Sequence, residues 1–267
     1  MTIPALSALY ISLPLKYDAR HIQRFEPESQ EISMKIRNTV ALVTGANRGI
    51  GLAFTRELLA LGARKVYAGA RDPSAIKQPG VEAIRLDVTK PEEVMAAAAH
   101  AGDVTLVVNN AGAAHAGGFL AHDSEEAARR DLETNFFGML RVSKAFAPIL
   151  AANGGGAFLN VLSVASWINN SGLAPYAASK SAAWSLTNSL RFELASQKTQ
   201  VLALHMGFVD TDLTRGIDAP KTSADEIVKR ALDALESGLD EVLADERARL
   251  IKQGLTAPRS VYLPQTA

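Results

Sequence analysis

The pattern of hydrophobic and polar positions divides most of the chain into two kinds of segment, which follow each other in turn. Short, continuously apolar runs are typical of buried strands, and between them apolar residues recur every three or four positions, as on one face of a helix. The predicted strands span residues 40–43, 65–70, 81–86, 104–108, 157–162, 200–205 and 241–244. The predicted helices span residues 51–61, 92–100, 124–151, 175–195 and from after Thr222 to about Leu239.

The alternation of strands and helices predicts an α/β fold. Right-handed crossovers cover both sides of a parallel sheet with helices, which explains why the predicted strands are apolar throughout. We therefore expect one doubly wound parallel sheet flanked by helices on both faces, in a single domain spanning residues 34–255. The run Asn153-Gly154-Gly155-Gly156 is typical of a turn, so no linker or second domain is expected.

The two ends of the chain differ from this pattern. Residues 2–15 are fairly apolar without a preceding basic segment, and residues 16–31 are polar without a clear period, which fits neither a secretory signal nor a compact element. We expect residues 1–33 to be a loosely ordered extension; an arm that packs on a partner subunit is the competing interpretation. Met34 could be an alternative start, and residues 256–267 are predicted to be a polar tail.

Composition narrows the possible partners. The 267 residues include 28 basic and 28 acidic ones, so no global field favours nucleic acid or an anionic membrane, and neither is expected as a partner. The absence of cysteine excludes disulfides, thiolate metal sites and a cysteine nucleophile, and it fits a reducing compartment. The apolar runs are too short to span a bilayer. We expect a cytoplasmic protein and assign no metal site.

A glycine-rich stretch follows the first predicted strand. In TGANRGIG, residues 44–51, Gly45, Gly49 and Gly51 separate this strand from the first helix. In a doubly wound sheet, that turn directs helix N–H groups at an anion such as a pyrophosphate. A tight turn without a ligand is the alternative, but the position after the first core strand favours phosphate binding.

The end of the second strand indicates which dinucleotide would bind. A protein that binds NAD usually has a carboxylate there to accept from the ribose hydroxyls, whereas a 2′-phosphate needs a cation. Here Ala70 is followed by Arg71, and Arg48 in the glycine loop could contact the same phosphate. These residues favour NADP(H), although Asp72 is close enough to compete and two solvated arginines are the alternative.

With these and further motifs, the chain resembles the classical short-chain dehydrogenases/reductases between about Val40 and Thr211. The motifs are TGANRGIG, Leu86-Asp87-Val88, NNAG at 109–112, NFFG at 135–138, Ser163 and YAASK at 176–180. The resemblance implies a Rossmann-type fold, oxidoreductase activity and a set of residues that bind NADP(H). The set is Gly45, Asn47, Arg48, Gly49, Ile50, Gly51, Arg71, Asp87, Val88, Asn109, Ala111, Gly112, Tyr176, Lys180, Gly207, Val209 and Thr211.

The YAASK motif also carries chemistry that can be argued from its residues. Tyr176 and Lys180 are four apart at the start of a predicted helix, whose beginning Pro175 fixes, so they share one face. A phenol titrates near pH ~10, and a neighbouring cation favours its ionised form, so we expect Lys180 to lower the pKa of Tyr176. This is the direction required for proton transfer near neutral pH. An ordinary surface pair is the alternative.

Two more residues complete the implied catalytic set of Asn135, Ser163, Tyr176 and Lys180. Ser163 precedes Tyr176 by thirteen residues, the family's spacing for the serine that hydrogen-bonds the substrate oxygen; Ser166 is a weaker candidate. Asn135 resembles the asparagine that holds a water behind the lysine. Its alternative role is that of a helix-interior residue bonded to the backbone.

Three features depart from the family pattern. Met206 stands where the family usually has proline before Gly207, which puts the stiffness of that turn in doubt. The segment 212–222 is short for a substrate lid, which indicates an open pocket or a bulky substrate. The C-terminal strand lacks the Asp-Gly-Gly end common in tetrameric members, so the expected homo-oligomer could be a dimer or a tetramer.

The sequence predicts an NADPH-dependent reductase that converts a small, hydrophobic ketone or aldehyde to an alcohol. A pocket beside the catalytic set is expected from Trp167, Ile168, Leu173 and Phe208, although each could equally be packing. His115 and His205 lie near the site by motif position and are assigned core or surface roles. The alternatives are a regulatory protein that binds NADPH without turnover, and an epimerase or dehydratase that uses the same YxxxK site.

Overall fold

A seven-stranded parallel sheet forms the centre of the part of the chain that the structure describes. The computed structural model describes residues 34–264, so the predicted extension at 1–33 lies outside the described residues. The strands are β1 (Val40–Thr44), β2 (Lys65–Ala70), β3 (Glu82–Arg85), β4 (Leu106–Asn109), β5 (Gly156–Val161), β6 (Thr199–His205) and β7 (Glu241–Leu243). Their order is β3-β2-β1-β4-β5-β6-β7, and every neighbouring pair is parallel.

Helices connect the successive strands except β2 and β3, which a 3₁₀ turn joins, and the last helix follows β7. They are α1 (Gly49–Ala60), α2 (Pro91–His100), α3 (Ser124–Leu132), α4 (Met139–Ala152), α5 (Ala174–Leu194), α6 (Ala224–Glu236) and α7 (Glu246–Gly254). A π-helical turn at Glu133–Gly138 joins α3 to α4, and short 3₁₀ turns lie at 73–75, 164–166, 195–197 and 212–214. Within residues 34–264, no helix has the length and apolar character needed to cross a membrane.

The hydrophobic core is divided between the two faces of the sheet. On one face, Phe54 and Leu58 of α1 pack with Leu235 of α6 against the strands. On the other, Phe146 of α4 and Leu190 of α5 belong to a second cluster that includes residues of α2. Each face of the sheet is therefore covered by helices, which confirms the predicted doubly wound α/β fold and explains why the strand runs are apolar throughout.

The main differences from the predicted elements are local. The helix predicted at 124–151 is α3 and α4 with the π-helical turn between them, because apolar periodicity does not distinguish a single wider turn. Helix α7 was not predicted. Asp245 caps it by accepting from the Ala248 N–H at 2.7 Å, and the Val261 N–H then donates to the Gly254 carbonyl at 3.1 Å as the chain turns back.

The strand order places a crevice between the carboxyl ends of β1 and β4. From β1 the chain winds outward to β2 and β3, whereas from β4 it winds in the opposite direction through β5, β6 and β7. Loops that follow such a pair diverge to opposite sides of the sheet, and ligands bind in the opening between them. The glycine loop follows β1 and the NNAG turn follows β4, so the topology brings these two motifs together.

The core position of Phe54 gives a test of the packing. Truncating this fully buried side chain in Phe54→Ala leaves a cavity between α1 and the sheet, and we expect it to lower the free energy of unfolding by about 3–5 kcal/mol. The matched control is Met95→Ala on α2, where the side chain is 62% exposed and the expected change is within about 0.5 kcal/mol. Urea unfolding followed by circular dichroism measures both, and equal losses would contradict this account of the core.

Candidate active site

A cavity of about 660 Å³ opens at the carboxyl ends of the strands. It falls in the size range of small-molecule and cofactor sites. Most of the predicted site residues line it: Gly45, Asn47, Arg48, Gly49, Ile50, Arg71, Asp87, Val88, Ala111, Gly112, Ser163, Tyr176, Lys180, Gly207, Val209 and Thr211. The three remaining predicted residues, Gly51, Asn109 and Asn135, do not line the cavity.

The glycine loop leaves bare backbone on one wall of the cavity. Gly45 and Gly49 have φ angles of +66° and +55°, which favour glycine, and a Cβ added at Gly51 would lie 2.2 Å from the Gly45 carbonyl oxygen. Gly51 therefore permits the tight turn and does not itself face the cavity. Because α1 begins at Gly49, its first N–H groups lack helical partners at this wall, and the loop fits the pyrophosphate of a dinucleotide.

The cavity wall at the end of β2 carries the charged residues that are expected to distinguish NADP from NAD. Arg71 lines the wall, whereas the Asp72 carboxylate accepts from the Ser74 N–H at 2.9 Å, and its hydrogen bonds with Ser74 hold the pKa of Asp72 below its usual value. The Arg48 guanidinium lies 3.5 Å from the Asp212 carboxylate. Both side chains are largely exposed, so breaking this ion pair costs little free energy. Two guanidinium groups therefore remain suited to a phosphate at this end.

The structure corrects the prediction for the NNAG turn. Asn109 is buried, and its Nδ2 donates to Asn160 Oδ1 at 2.9 Å, so it ties β4 to β5 and does not line the cavity. Asn110 does line it, and its Nδ2 donates to the carbonyls of Thr44 at 2.8 Å and Gly45 at 3.2 Å. Successive side chains of a strand point to opposite faces, so a shift of one position separates a core residue from a cavity residue.

The YAASK residues lie at the start of α5. Pro175 occupies the first turn, as predicted, and both Tyr176 and Lys180 line the cavity. The Lys180 ammonium donates to the Val161 carbonyl at 2.8 Å and lies 5.8 Å from the centroid of the Tyr176 ring. Ser163 follows β5 on the same wall, where its Oγ accepts from the Ala165 N–H at 3.1 Å.

The electrostatics of this group differ from the sequence-based expectation. Burial raises the pKa of Tyr176 to about 12, and a hydrogen bond with Ser163 only partly opposes it. Burial also lowers the pKa of Lys180 to about 8. The predicted lowering of the tyrosine pKa was therefore wrong in direction, because removal from water, with a smaller contribution from the charge of Asp131, outweighs the hydrogen bond with Ser163. At neutral pH, the phenol keeps its proton and can act as a proton donor.

Asn135 lies behind this wall in the π-helical turn. Its Nδ2 donates to the Ala113 carbonyl at 2.8 Å and to Ser179 Oγ at 2.7 Å, and its Oδ1 accepts from the Ala113 N–H at 2.9 Å. The side chain therefore holds the loop after β4 against α5. The role of holding a water behind Lys180 stays a prediction.

Three of the four residues that were predicted to form an apolar pocket line the cavity. Ile168, Leu173 and Phe208 line it, but Trp167 does not, because its ring stacks on His205 with centroids 3.9 Å apart. His205 is fully buried, in keeping with the expected core role, and its Nδ1 lies 3.1 Å from the Ser163 carbonyl. Burial lowers the pKa of His205 to about 4. Ser166 is also buried away from the cavity.

Several lining residues were not predicted. Leu213 and Ile217 come from the segment after β6, which reaches the cavity although it is short. Arg247 comes from α7, and its guanidinium lies 5.0 Å from the centroid of the Phe208 ring. His115 lines the same cavity as Tyr176, although its expected role was core or surface. No local motif marks these positions; the cap at Asp245 was the one signal that could have placed α7.

Comparison with known proteins identifies the family. The family model described as short chain dehydrogenase matches residues 39–222, which is more than half of the chain and includes the glycine loop and YAASK. The chain belongs to the short-chain dehydrogenase family and is an oxidoreductase of that family.

Individual relatives agree with this assignment. A 3-oxoacyl-(acyl-carrier-protein) reductase of Vibrio cholerae is 33% identical over 200 residues, covering 72% of this chain and 82% of the relative. A 1-deoxy-11-beta-hydroxypentalenate dehydrogenase of Streptomyces avermitilis is 33% identical over 240 residues, covering 81% of this chain and 89% of the relative. A short chain dehydrogenase of Burkholderia cenocepacia, solved in complex with NADP, is similar with a TM-score of 0.82 and 43% identity, covering 85% and 96% of the two chains.

The lowered pKa of Lys180 predicts a pH-dependent stability. Between the folded value of about 8 and the ordinary 10.5, the unfolded chain binds more protons, so this residue makes stability rise with pH across that window. We expect the unfolding free energy of the wild type, relative to Lys180→Met, to increase by up to about 3 kcal/mol from pH 7.5 to 10.5. Urea unfolding at both pH values measures this difference, and a pH-independent gap would refute the assignment.

Proposed function

We propose that the protein is an NADP(H)-dependent reductase that converts a ketone or aldehyde to an alcohol. The observation that carries the proposal is that Ser163, Tyr176 and Lys180 share one cavity with the glycine loop. A phenol and a hydroxyl on one wall, beside a site suited to a dinucleotide, are the groups that carbonyl reduction requires.

The choice of NADP(H) is supported by the charges of the cavity and by one relative. Arg71 follows β2 where a 2′-phosphate would need a cation, while the neighbouring Asp72 is engaged in capping the turn at Ser74. The similar Burkholderia cenocepacia protein was solved in complex with NADP. We assign the phosphate of the adenosine ribose to Arg71, with Arg48 as the second cation.

The proposed roles of the catalytic residues rest on the resemblance to the family and on their places at or behind the cavity wall. NADPH, when bound, supplies a hydride to the carbonyl carbon. Tyr176 gives its proton to the carbonyl oxygen, and the Ser163 hydroxyl orients that oxygen. Lys180 would hold the nicotinamide ribose of the bound cofactor by a hydrogen bond, and its charge lies beside the phenol. Asn135 would support the resupply of protons. Because Tyr176 keeps its proton at neutral pH, the phenol is in the form that must donate a proton when a carbonyl is reduced.

The nature of the substrate and the assembly are the finer parts of the proposal. Ile168, Leu173 and Phe208 favour a substrate with an apolar body. A homo-oligomer, a dimer or a tetramer, and a cytoplasmic location stay predictions, as does the domain boundary at residue 255.

Removing the phenol tests catalysis against binding alone. Tyr176→Phe deletes the proton donor while keeping the ring, so we expect kcat for carbonyl reduction to fall by roughly 100-fold or more. NADPH binding, measured by nucleotide fluorescence titration, should be retained. A panel of ketones and aldehydes monitored by NADPH consumption provides the assay, and unchanged turnover in the variant would exclude the proposed mechanism.

The cofactor preference is tested at Arg71. Loss of a charge-assisted hydrogen bond costs about 1.5–3 kcal/mol, so Arg71→Gln should lower the ratio of kcat/KM with NADPH to that with NADH by roughly 10- to 100-fold. Arg56→Gln is the control, because Arg56 pairs with Asp225 and does not line the cavity. If the ratio stays at the wild-type value in Arg71→Gln, the cation that selects the phosphate lies elsewhere.

A further inference from the structure

A buried carboxylate holds a histidine on the cavity wall. Asp131 of α3 is fully buried, and its two oxygens accept from His115, one from the backbone N–H at 3.1 Å and the other from the ring Nδ1 at 2.7 Å. Burial of a carboxylate is costly unless it is hydrogen-bonded, so this double contact fixes the ring. The His115 side chain remains 37% exposed and lines the cavity.

The contact with Asp131 decides which ring nitrogen can act. A carboxylate only accepts hydrogen bonds, so Nδ1 of His115 carries the hydrogen that it donates. In the neutral ring, Nε2 is then the nitrogen with the lone pair, and it accepts a hydrogen bond from any donor that approaches it. Among the described residues, none forms a hydrogen bond with this nitrogen.

The pair lies beside the catalytic wall. Its own loop is the one that Asn135 holds through Ala113, two positions before His115. Helix α3, which carries Asp131, packs against α5, which carries Tyr176 and Lys180. A Cβ at Gly112, three residues before His115, would lie 3.9 Å from the Lys180 ammonium, so the loop passes close to the catalytic wall. The negative charge of Asp131 favours the protonated form of both Tyr176 and Lys180. Nε2 of His115 is therefore a fixed hydrogen-bond acceptor on the cavity wall, where a substrate can reach it.

We propose that Nε2 of His115 accepts a hydrogen bond from a hydroxyl that the substrate carries next to its reacting carbonyl. The inference deepens the proposed function and rests on it, since it assigns the substrate to the class of hydroxyketones and hydroxyaldehydes with an apolar body. His115 is then a residue that selects the substrate, and Asp131 is a positioning residue that acts through it. A purely structural pair would not need the half-exposed ring on the cavity wall.

A matched pair of substrates tests this role. We compare 2-hydroxyacetophenone with 2-methoxyacetophenone, which keeps the oxygen but lacks its hydrogen, and extend the comparison to 3-hydroxy- and 3-methoxy-1-phenylpropan-1-one. His115→Asn keeps an amide N–H that can reach Asp131 and deletes Nε2. We expect it to lower the ratio of kcat/KM for hydroxy over methoxy substrate by roughly three- to tenfold in at least one pair, the size of one uncharged hydrogen bond.

Further variants separate the hydrogen bond from general damage. His115→Gln, whose amide oxygen reaches the position of Nε2, should keep more of the preference than His115→Asn. His115→Phe keeps a ring of similar size and should show the same loss as His115→Asn. His122→Asn is the control, because His122 is exposed and lies outside the cavity, and it should keep the wild-type ratio. Each ratio is measured in one preparation, so a loss of folded protein cancels.

The outcomes distinguish the two proposals. If the wild type binds NADPH but reduces neither these four substrates nor any compound of a wider carbonyl panel, the proposed function is wrong and the inference fails with it. If the wild type reduces them while His115→Asn and His115→Phe leave the ratio unchanged in both pairs, only the inference is overturned. An equal loss for hydroxy and methoxy substrates would also overturn it, because a structural role predicts that result.

Discussion

The candidate active site depends on one interaction, the hydrogen bond that the buried ammonium of Lys180 makes. Its hydrogen bond to the Val161 carbonyl, at 2.8 Å, joins the first turns of α5 to the end of β5. A charge taken out of water is costly unless its protons find acceptors, so the helix cannot shift along the sheet without losing this bond. Tyr176 lies one turn earlier on the same helix, and its position on the cavity wall follows from the anchored lysine. The lowered pKa of about 8 records the cost of holding the ammonium there.

A second anchor on α5 is the hydrogen bond between Asn135 and Ser179. Asn135 bonds Ser179 on α5 and the backbone of Ala113 in the loop after β4, so helix and loop cannot move apart independently. The asparagine sits in a π-helical turn, which inserts an extra residue into an otherwise regular helix and is frequent at functional sites. A Cβ at Gly138, the last residue of this turn, would lie 2.6 Å from a methyl carbon of Val88, which itself lines the cavity. The wider turn is thereby packed directly against the cavity wall.

The sequence predicted the sheet and most cavity residues because both depend on short-range patterns. Apolar runs mark buried strands, and the glycine loop and YAASK each lie within one turn of chain. The errors came where a side chain's direction depends on distant partners: Asn109 turns toward Asn160 on β5, and Trp167 turns toward His205 on β6. The pKa of Tyr176 belongs to the same class, since burial depends on every element around it. No spacing rule could have paired His115 with Asp131, which lie in different elements and meet only in the folded chain.

The departure at Met206 shows how a long-range contact can replace a local restraint. Where the family has proline before Gly207, this chain has a residue that leaves the backbone freer. The Asp245 carboxylate compensates, since one oxygen accepts from the Gly207 N–H at 2.6 Å while the other caps α7 through Ala248. The same carboxylate thus restrains the turn and fixes the start of the helix that brings Arg247 onto Phe208. The cavity wall at the glycine loop and YAASK is built from motifs that a sequence displays. The part where we propose that the substrate binds also includes residues of α7 and of the His115 loop, which carry no such motif. Substrate choice can therefore diverge within the family while the motifs stay recognisable.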